Sequence, residues 1–487
     1  MLFNSYQFAF GFLPIVLAIF GLLAARDARR AAAGFLILAS IAFYGWWNWH
    51  YLFLFGFSIF FNFGWSLLLV PAPATDPAVA DAPVVTPARA TRAAYGERAR
   101  RVLLGCGIGV NLALLGYFKY RNFMVASAGA LLGTHWHMPA LMLPLAISFF
   151  SFEQITFLSS AYRGEPGARD FVSYCLFIAF FPHLIAGPIV RYAEIYPQLN
   201  RNTRFRLSAA NLSDGLMIFA IGLFKKVMLA DTFRPIVNPL FDRTMPLGFC
   251  DAWGGALAFA LEIYFDFSGY SDMAIGLARM FGVKFPENFD SPYQARSIIQ
   301  FWRRWHITLS FFLRDYLYIP LGGNRHGPLR RDLNLFITMV LGGLWHGASW
   351  TFVIWGTLHG VFLWINHVWN DRHHRMPEAL AWPLTFVLAT AAWVFFRAPS
   401  FSRAAQFFTG MAGLGGFAYN SVQYSIGSHE WLLLGLGLAI VLFAPNRQAI
   451  VAWRWSNDWL WAGAFAVLAG VSIMGMANPP PFIYFQF

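Results

Sequence analysis

Two histidines set in apolar surroundings are the residues of this 487-residue sequence best suited to chemistry. His346 lies in Trp345-His346-Gly347-Ala348-Ser349-Trp350, inside an apolar run over residues 333–364 that is long enough to cross a bilayer. His306, forty residues earlier, lies in Phe301-Trp302-Arg303-Arg304-Trp305-His306-Ile307-Thr308-Leu309-Ser310. A neutral imidazole, with a pKa near ~6.5, can take a proton from a hydroxyl at physiological pH. Burying an ionisable group at membrane depth is costly, which makes function its first explanation.

On a helix, Trp302, Arg303, His306 and Ser310 share one face, with Phe301, Trp305, Thr308 and Phe312 pointing elsewhere. That spacing predicts a polar stripe along a cavity. Around His346, Gly342, Gly343 and Gly347 let a neighbouring helix or a substrate come close to the backbone, with Ser349 and Trp350 one turn on. The two imidazoles are therefore expected to face a shared hollow. A plainer role for His346 is a hydrogen bond between two helices. Neither histidine belongs to an HExxH motif or has cysteine or carboxylate neighbours at ligand spacing, so no metal site is expected. His135, His137, His373 and His374 lie in polar turns and read as solvated.

Residues 279–331 carry nine basic side chains (Arg279, Lys284, Arg296, Arg303, Arg304, Arg314, Arg325, Arg330, Arg331) against three acidic ones (Glu287, Asp290, Asp315). Guanidinium forks suit phosphate oxygens, so this stretch reads as a cationic mouth for a phosphate-bearing donor such as a coenzyme A thioester. An interfacial helix meeting lipid phosphates is the alternative. Glu262, Asp266, Ser268, Tyr270 and Asp272 crowd the end of another apolar window. Buried carboxylates need partners, and the arginines of the following basic segment are the expected ones.

The elements that must hold these residues are membrane helices. The chain is 58% hydrophobic, 19% aromatic and only 12% charged, where soluble proteins carry about 25% charged residues. Roughly ten to twelve windows reach the ~20 apolar residues that spanning requires. The clearest cover residues 8–25, 31–47, 51–70, 102–118, 171–189, 212–230, 252–277, 382–396, 431–443 and 459–474. The first lacks a basic n-region and a cleavage site, so it reads as a retained helix. Basic clusters at Arg26, Arg29 and Arg30, and at Arg89, Arg92, Arg98, Arg100 and Arg101, put those loops in the cytoplasm and the N-terminus outside. The net charge of +12 is explained by that bias and by anionic lipid, with no groove-reading fold for nucleic acid. Cys106, Cys175 and Cys250 form no framework and read as unpaired.

One membrane domain, residues 1–487, is expected. Residues 71–101, rich in Ala, Pro and Thr, form a flexible cytoplasmic loop, and no repeat is seen. Residues 143–162, 180–191 and 298–320 look re-entrant or broken, which implies an internal cavity, because irregular backbone at that depth must be covered by protein or water.

At these residues the chain resembles the bacterial branch of the membrane-bound O-acyltransferase superfamily, especially its alginate O-acetyltransferase-like membrane subunits. The resemblance runs nearly end to end. It covers the opening Met-Leu-Phe-Asn-Ser, Phe118-Lys119-Tyr120, Leu184-Ile185-Ala186-Gly187-Pro188 and residues 265–276, 301–310 and 314–325. It continues through Gly342-Gly343-Leu344-Trp345-His346-Gly347, residues 393–398 and the closing residues 482–487. Ser160-Ala161 and Phe311 depart from the family pattern.

The resemblance implies an all-α polytopic bundle of about 11–13 transmembrane helices, each of about 20 residues, with re-entrant and interfacial helices around a central funnel. It implies that His346 is the catalytic histidine and His306 the second functional one, and residues 279–331 and 333–364 then become the donor mouth and the catalytic segment. Acetyl-CoA would bind as substrate at Trp302, Arg303, Arg304, Arg314, Asn324 and Arg325, with no tightly held cofactor. Ser310, Ser349, Trp345, Trp350, Asp266 and Ser268 would line the substrate channel. His346 is expected to act as base toward an acceptor hydroxyl, with His306 orienting or polarising the thioester carbonyl. The implied setting is the bacterial inner membrane, the implied partner a periplasmic SGNH-type transferase, and the acceptor an alginate-like polysaccharide. Peptidoglycan, cellulose and teichoic-acid D-alanylation are the other acceptors. A glycan transporter or flippase is the rival class, although no paired inverted halves are visible.

Overall fold

The computed structural model describes residues 1–71, 95–134, 136, 138–139, 141–200, 207–242, 246–417, 426–452, 458–477, 480 and 482–483. Most of the expected 71–101 loop, together with His135 and His137, lies outside the described residues. What is described of that loop's end is already helical: Glu97 opens the helix Glu97–Leu115 and pairs with Arg100 and Arg101 one turn on.

The protein is all-α, with no strand among the described residues. Among the described residues, five helical stretches are long and apolar enough to cross a membrane: Gln7–Ala25, Tyr51–Leu69, Glu97–Leu132, Glu378–Arg397 and Trp459–Ala477. Three expected elements take a different form. Residues 171–189 do not make one span: the helix Phe171–Ala179 stops, a single turn Phe181–Leu184 follows, and residues 185–191 are irregular. Pro182 and Pro188 prevent continuation there, and residues 180–190 are buried in protein, as broken backbone requires. Residues 143–162, expected to be broken, contain instead the continuous helix Ile147–Arg163. Gln154 and Glu153 reach Tyr174 and His183 on neighbouring elements, while Thr156 and Ser159 donate back to the helix's own carbonyls without breaking it. The apolar run 333–364 is two helices, Gly327–His346 and Trp350–Asp371.

The chain divides into two compact units, Gly11–Asn211 with Ala278–Phe285, and Leu2–Phe10 with Leu212–Leu277 and Pro286–Phe487. In the first, buried polar pairs join helices: Asn111 donates to Asn62 at 2.7 Å and Tyr174 to Gln154 at 2.7 Å, while His183 Nδ1 lies 2.8 Å from Glu153 Oε1.

The second unit is built on the helix Phe249–Met280, whose residues 258–278 are all buried. Glycine sets its contact with Ala209–Phe224. A β-carbon on Gly269 would lie 2.7 Å from the Gly222 carbonyl oxygen, and one on Gly276 would lie 2.6 Å from that of Gly215. Two glycines seven residues apart on each helix thus let the backbones meet.

The acidic cluster on this helix finds cations, but not those of the following basic segment. Asp266 pairs with Lys226 at 2.7 Å, Glu262 with Arg234 at 3.2 Å, and Asp272 with Lys225 at 2.7 Å and Arg447 at 2.8 Å. The partners come from the preceding helices and from far downstream because those elements pack on this face. Linear proximity to residues 279–331 does not decide it.

Candidate active site

Two chain breaks within the second unit bring the histidines together. The helix Ile298–Arg304, capped by Ser297, stops at Trp305, and the helix Ile307–Leu313 restarts with His306 as its N-cap residue. His306 holds φ at +43°, a left-handed conformation that a side-chain-bearing residue adopts only when its surroundings enforce it. Two backbone hydrogen bonds enforce it. Ile307 N–H donates to the Asn288 carbonyl at 2.9 Å, and Asp290 N–H donates to the Arg304 carbonyl at 3.0 Å.

At the second break, the helix Gly327–His346 ends on His346. The chain runs extended through Gly347, and Ser349 caps Trp350–Asp371 by accepting from Thr351 N–H at 3.3 Å. These two helices close tightly: a β-carbon on Gly343 would lie 3.0 Å from the Gly356 Cα. The expected close approach at the glycines is therefore between neighbouring turns of one hairpin.

The His306 and His346 rings stand 6.4 Å apart, centroid to centroid, at 54°. They are 0% and 3% exposed. Phe267 meets His306 edge-on at 4.6 Å, Trp355 and Phe396 meet His346 at 5.2 and 5.3 Å, and Trp345 lies beside both imidazoles. Where a shared hollow was expected, aromatic rings pack against both imidazoles, because they gain more by burying their area here than by facing water.

His306 is held through Asn288. Its Nδ1 lies 3.0 Å from Asn288 Oδ1, an oxygen that also accepts from the Thr308 hydroxyl at 2.9 Å and from Thr308 N–H at 3.4 Å. Asn288 Nδ2 donates to Ser271 Oγ at 3.0 Å. A third buried histidine, His359, is 0% exposed and accepts from Trp302 Nε1–H at 3.3 Å. Sequence reasoning missed Asn288 and His359. His359 sits in the same apolar run as His346, which was a usable signal, whereas Asn288 carries none until residues 288–290 pair with residues 304–307.

Beside this centre lies a cavity of about 640 Å³ lined by Trp302, Arg303, Ser310, Arg314, Asn324, Arg331 and His367, with apolar walls from Ile307, Leu335, Met339 and Leu363. Neither His306 nor His346 lines it. Trp302 stands between them: its indole borders the cavity and packs on Trp355 at 5.8 Å, and Trp355 in turn touches His346. Ser310 donates to the Trp302 carbonyl at 3.1 Å.

The single helical face expected for Trp302, Arg303, His306 and Ser310 does not exist, because the helix breaks at 305–306. Arg304 leaves the group as well and borders a separate cavity of about 710 Å³ with Arg296, Gln300, Glu378 and Trp382. Consecutive residues on a helix point about 100° apart, which sends the two arginines to different spaces. Arg325 is exposed and lines neither cavity. Trp350 is 52% exposed at the start of its helix. Asp266 and Ser268 are buried away from both cavities, and Asp266 also accepts from Ile483 N–H at 3.0 Å. His373 and His374 are exposed and the three cysteines are free, in agreement with the sequence.

The model of the membrane-bound O-acyltransferase family matches residues 146–400. The peptidoglycan O-acetyltransferase of Helicobacter pylori is 41% identical over 446 residues, covering 85% of this chain and 80% of the relative. A protein named "Probable alginate O-acetylase" from Pseudomonas putida is 40% identical over 460 residues, covering 93% and 88%. The teichoic acid D-alanyltransferase of Streptococcus thermophilus is 29% identical over 240 residues, covering 46% and 57%.

Proposed function

The chain belongs to the membrane-bound O-acyltransferase family, and from that premise we propose that it carries an acetyl group from cytoplasmic acetyl-CoA to a hydroxyl of an extracytoplasmic, alginate-like polysaccharide, directly or through a periplasmic partner. The supporting observation is the pair of imidazoles 6.4 Å apart beside a cavity bordered by Arg303, Arg314 and Arg331. Guanidinium groups at that rim suit the phosphates of coenzyme A, and the apolar walls suit the arm that carries the thioester.

In this reading the acceptor oxygen attacks the thioester carbonyl carbon, the new C–O bond forms and the C–S bond breaks. His346 takes the hydroxyl proton and returns it to the departing thiolate. Base catalysis of this kind contributes on the order of 10² to 10⁴ in rate, and alignment of the two substrates supplies more. The route from cavity to imidazole passes Trp302 and Trp355, so those indoles must shift for the thioester to reach the base.

The basic clusters after the first and third apolar windows favour the inner membrane with the N-terminus in the periplasm. A serine-dependent SGNH-type partner would complete delivery. Peptidoglycan is the second reading of the acceptor, because the Helicobacter pylori relative named for it is as similar to this chain as the relative named for alginate. The D-alanyltransferase relative matches less than half of the chain, which sets teichoic acid behind both. Full-length protein in lipid nanodiscs should consume acetyl-CoA when given oligomannuronate or a periplasmic extract, and His346→Ala should not. Exopolysaccharide and cell wall from a deletion strain, compared by mass, would show which polymer loses acetyl groups. Acceptor crossing the bilayer without loss of acetyl-CoA would refute the proposal.

A further inference from the structure

We propose that Asn288 is a positioning residue that locks His306 in its Nδ1–H form, so that His306 meets the bound substrates as a hydrogen-bond acceptor at Nε2. The argument begins with Thr308. Its backbone N–H can only donate, and it donates to Asn288 Oδ1, which identifies that atom of the amide as the oxygen. The Thr308 hydroxyl, which can donate or accept, then donates to the same oxygen at 2.9 Å, and Asn288 Nδ2 donates to Ser271 Oγ. His306 Nδ1, 3.0 Å from that oxygen, must therefore carry the proton.

A neutral imidazole has one N–H. With it committed to Asn288, Nε2 holds a bare lone pair. The opposite tautomer would set the Nδ1 lone pair against the amide oxygen. The charged form would need an anion, and Phe267, Trp345, His346 and Asn288, which stand against the ring, offer none. Nε2 is buried and has no hydrogen-bond partner among the described residues. Leaving a buried acceptor unsatisfied costs about 1–3 kcal/mol, and the strained backbone of His306 adds to that cost. The cost at Nε2 is recovered when a substrate brings a donor to it.

This reverses the role expected for His306. A carbonyl oxygen offers no proton, so the neutral ring cannot polarise a thioester through Nε2. A hydroxyl of the acceptor other than the attacking one can donate to it, while His346, 6.4 Å away ring to ring, takes the proton of the attacking one. His306 then fixes the acceptor for attack while Asn288 fixes His306.

The assignment to the acyl acceptor rests on the acyltransferase reading; the tautomer does not, and the experiment separates them. In the full-length protein labelled with ¹⁵N-histidine in bilayers, the His306 signals are those missing from His306→Gln. They should show a protonated Nδ1 and a bare Nε2 in the wild type and in Asn288→Gln, which keeps the amide oxygen, and a mixture of tautomers in Asn288→Leu. A proton on Nε2 in the wild type overturns the proposal whatever the activity. In nanodiscs consuming acetyl-CoA, Asn288→Gln should keep kcat within about tenfold, whereas Asn288→Leu should lose about a hundredfold with KM for acetyl-CoA unchanged. Equal loss in both, with folded yield and thermal stability preserved, also overturns it. Failure of the wild type to consume acetyl-CoA would instead count against the proposed function, and the nitrogen signals would still decide the tautomer.

Discussion

His183 in the first unit and His306 in the second are both fully buried imidazoles, yet their surroundings ask different things of them. His183 Nδ1 faces a carboxylate, Glu153, at 2.8 Å, and the pair ties the irregular stretch after Phe180 to the helix Ile147–Arg163. His306 faces a neutral amide and stands 6.4 Å, ring to ring, from a second imidazole. A buried histidine matched by a carboxylate serves architecture. One matched by a dipole and set beside a second imidazole has the surroundings that the proposed reaction needs.

The sharpest way to break this contrast is at His346, the neighbour of His306. His346→Ala should lower acyl transfer by about a thousandfold or more while leaving expression and melting temperature near wild type, because general base catalysis is lost. Retained turnover in purified protein would remove the pair from the mechanism. Glu153→Gln should behave in the opposite way. Taking one partner from a buried pair costs about 3 kcal/mol or more, read as a marked fall in melting temperature in detergent, while the folded fraction keeps its kcat. Loss of kcat at unchanged stability would put Glu153 on the catalytic side.

Smaller effects sharpen the boundary of the site. Arg303→Ala and Arg314→Ala should each raise KM for acetyl-CoA by about tenfold with kcat unchanged, as expected when a charge-assisted phosphate contact is removed. Arg325→Ala should stay within about twofold, since substitutions far from a packed or reacting group have small effects. A larger change there than at Arg303 would move the donor mouth to the exposed turn.

Much of this was legible in the sequence, and the misses have physical causes. Apolar windows gave the membrane class, and the pairing of His306 with His346 followed from residue type and from the family resemblance. The helical-face argument failed at residues 302–310 because it assumed a continuous helix. The break at Trp305 and His306 is imposed by backbone pairing with residues 288–290, a tertiary contact that no local pattern announces. The same contact hid Asn288. Carboxylate partners were misassigned because neighbours in sequence were taken for neighbours in space. The 143–162 segment was read as broken because its polar residues looked like interruptions, yet Gln154 and Glu153 spend their polarity on Tyr174, Ser58 and His183.

The hairpin that carries His346 is closed by main chain lying on main chain at Gly343 and Gly356. Such a joint offers no side chain that could be trimmed or enlarged by degrees. The imidazole's placement therefore cannot drift through a series of small, tolerated exchanges: any atom added at either glycine levers the two helices apart at once.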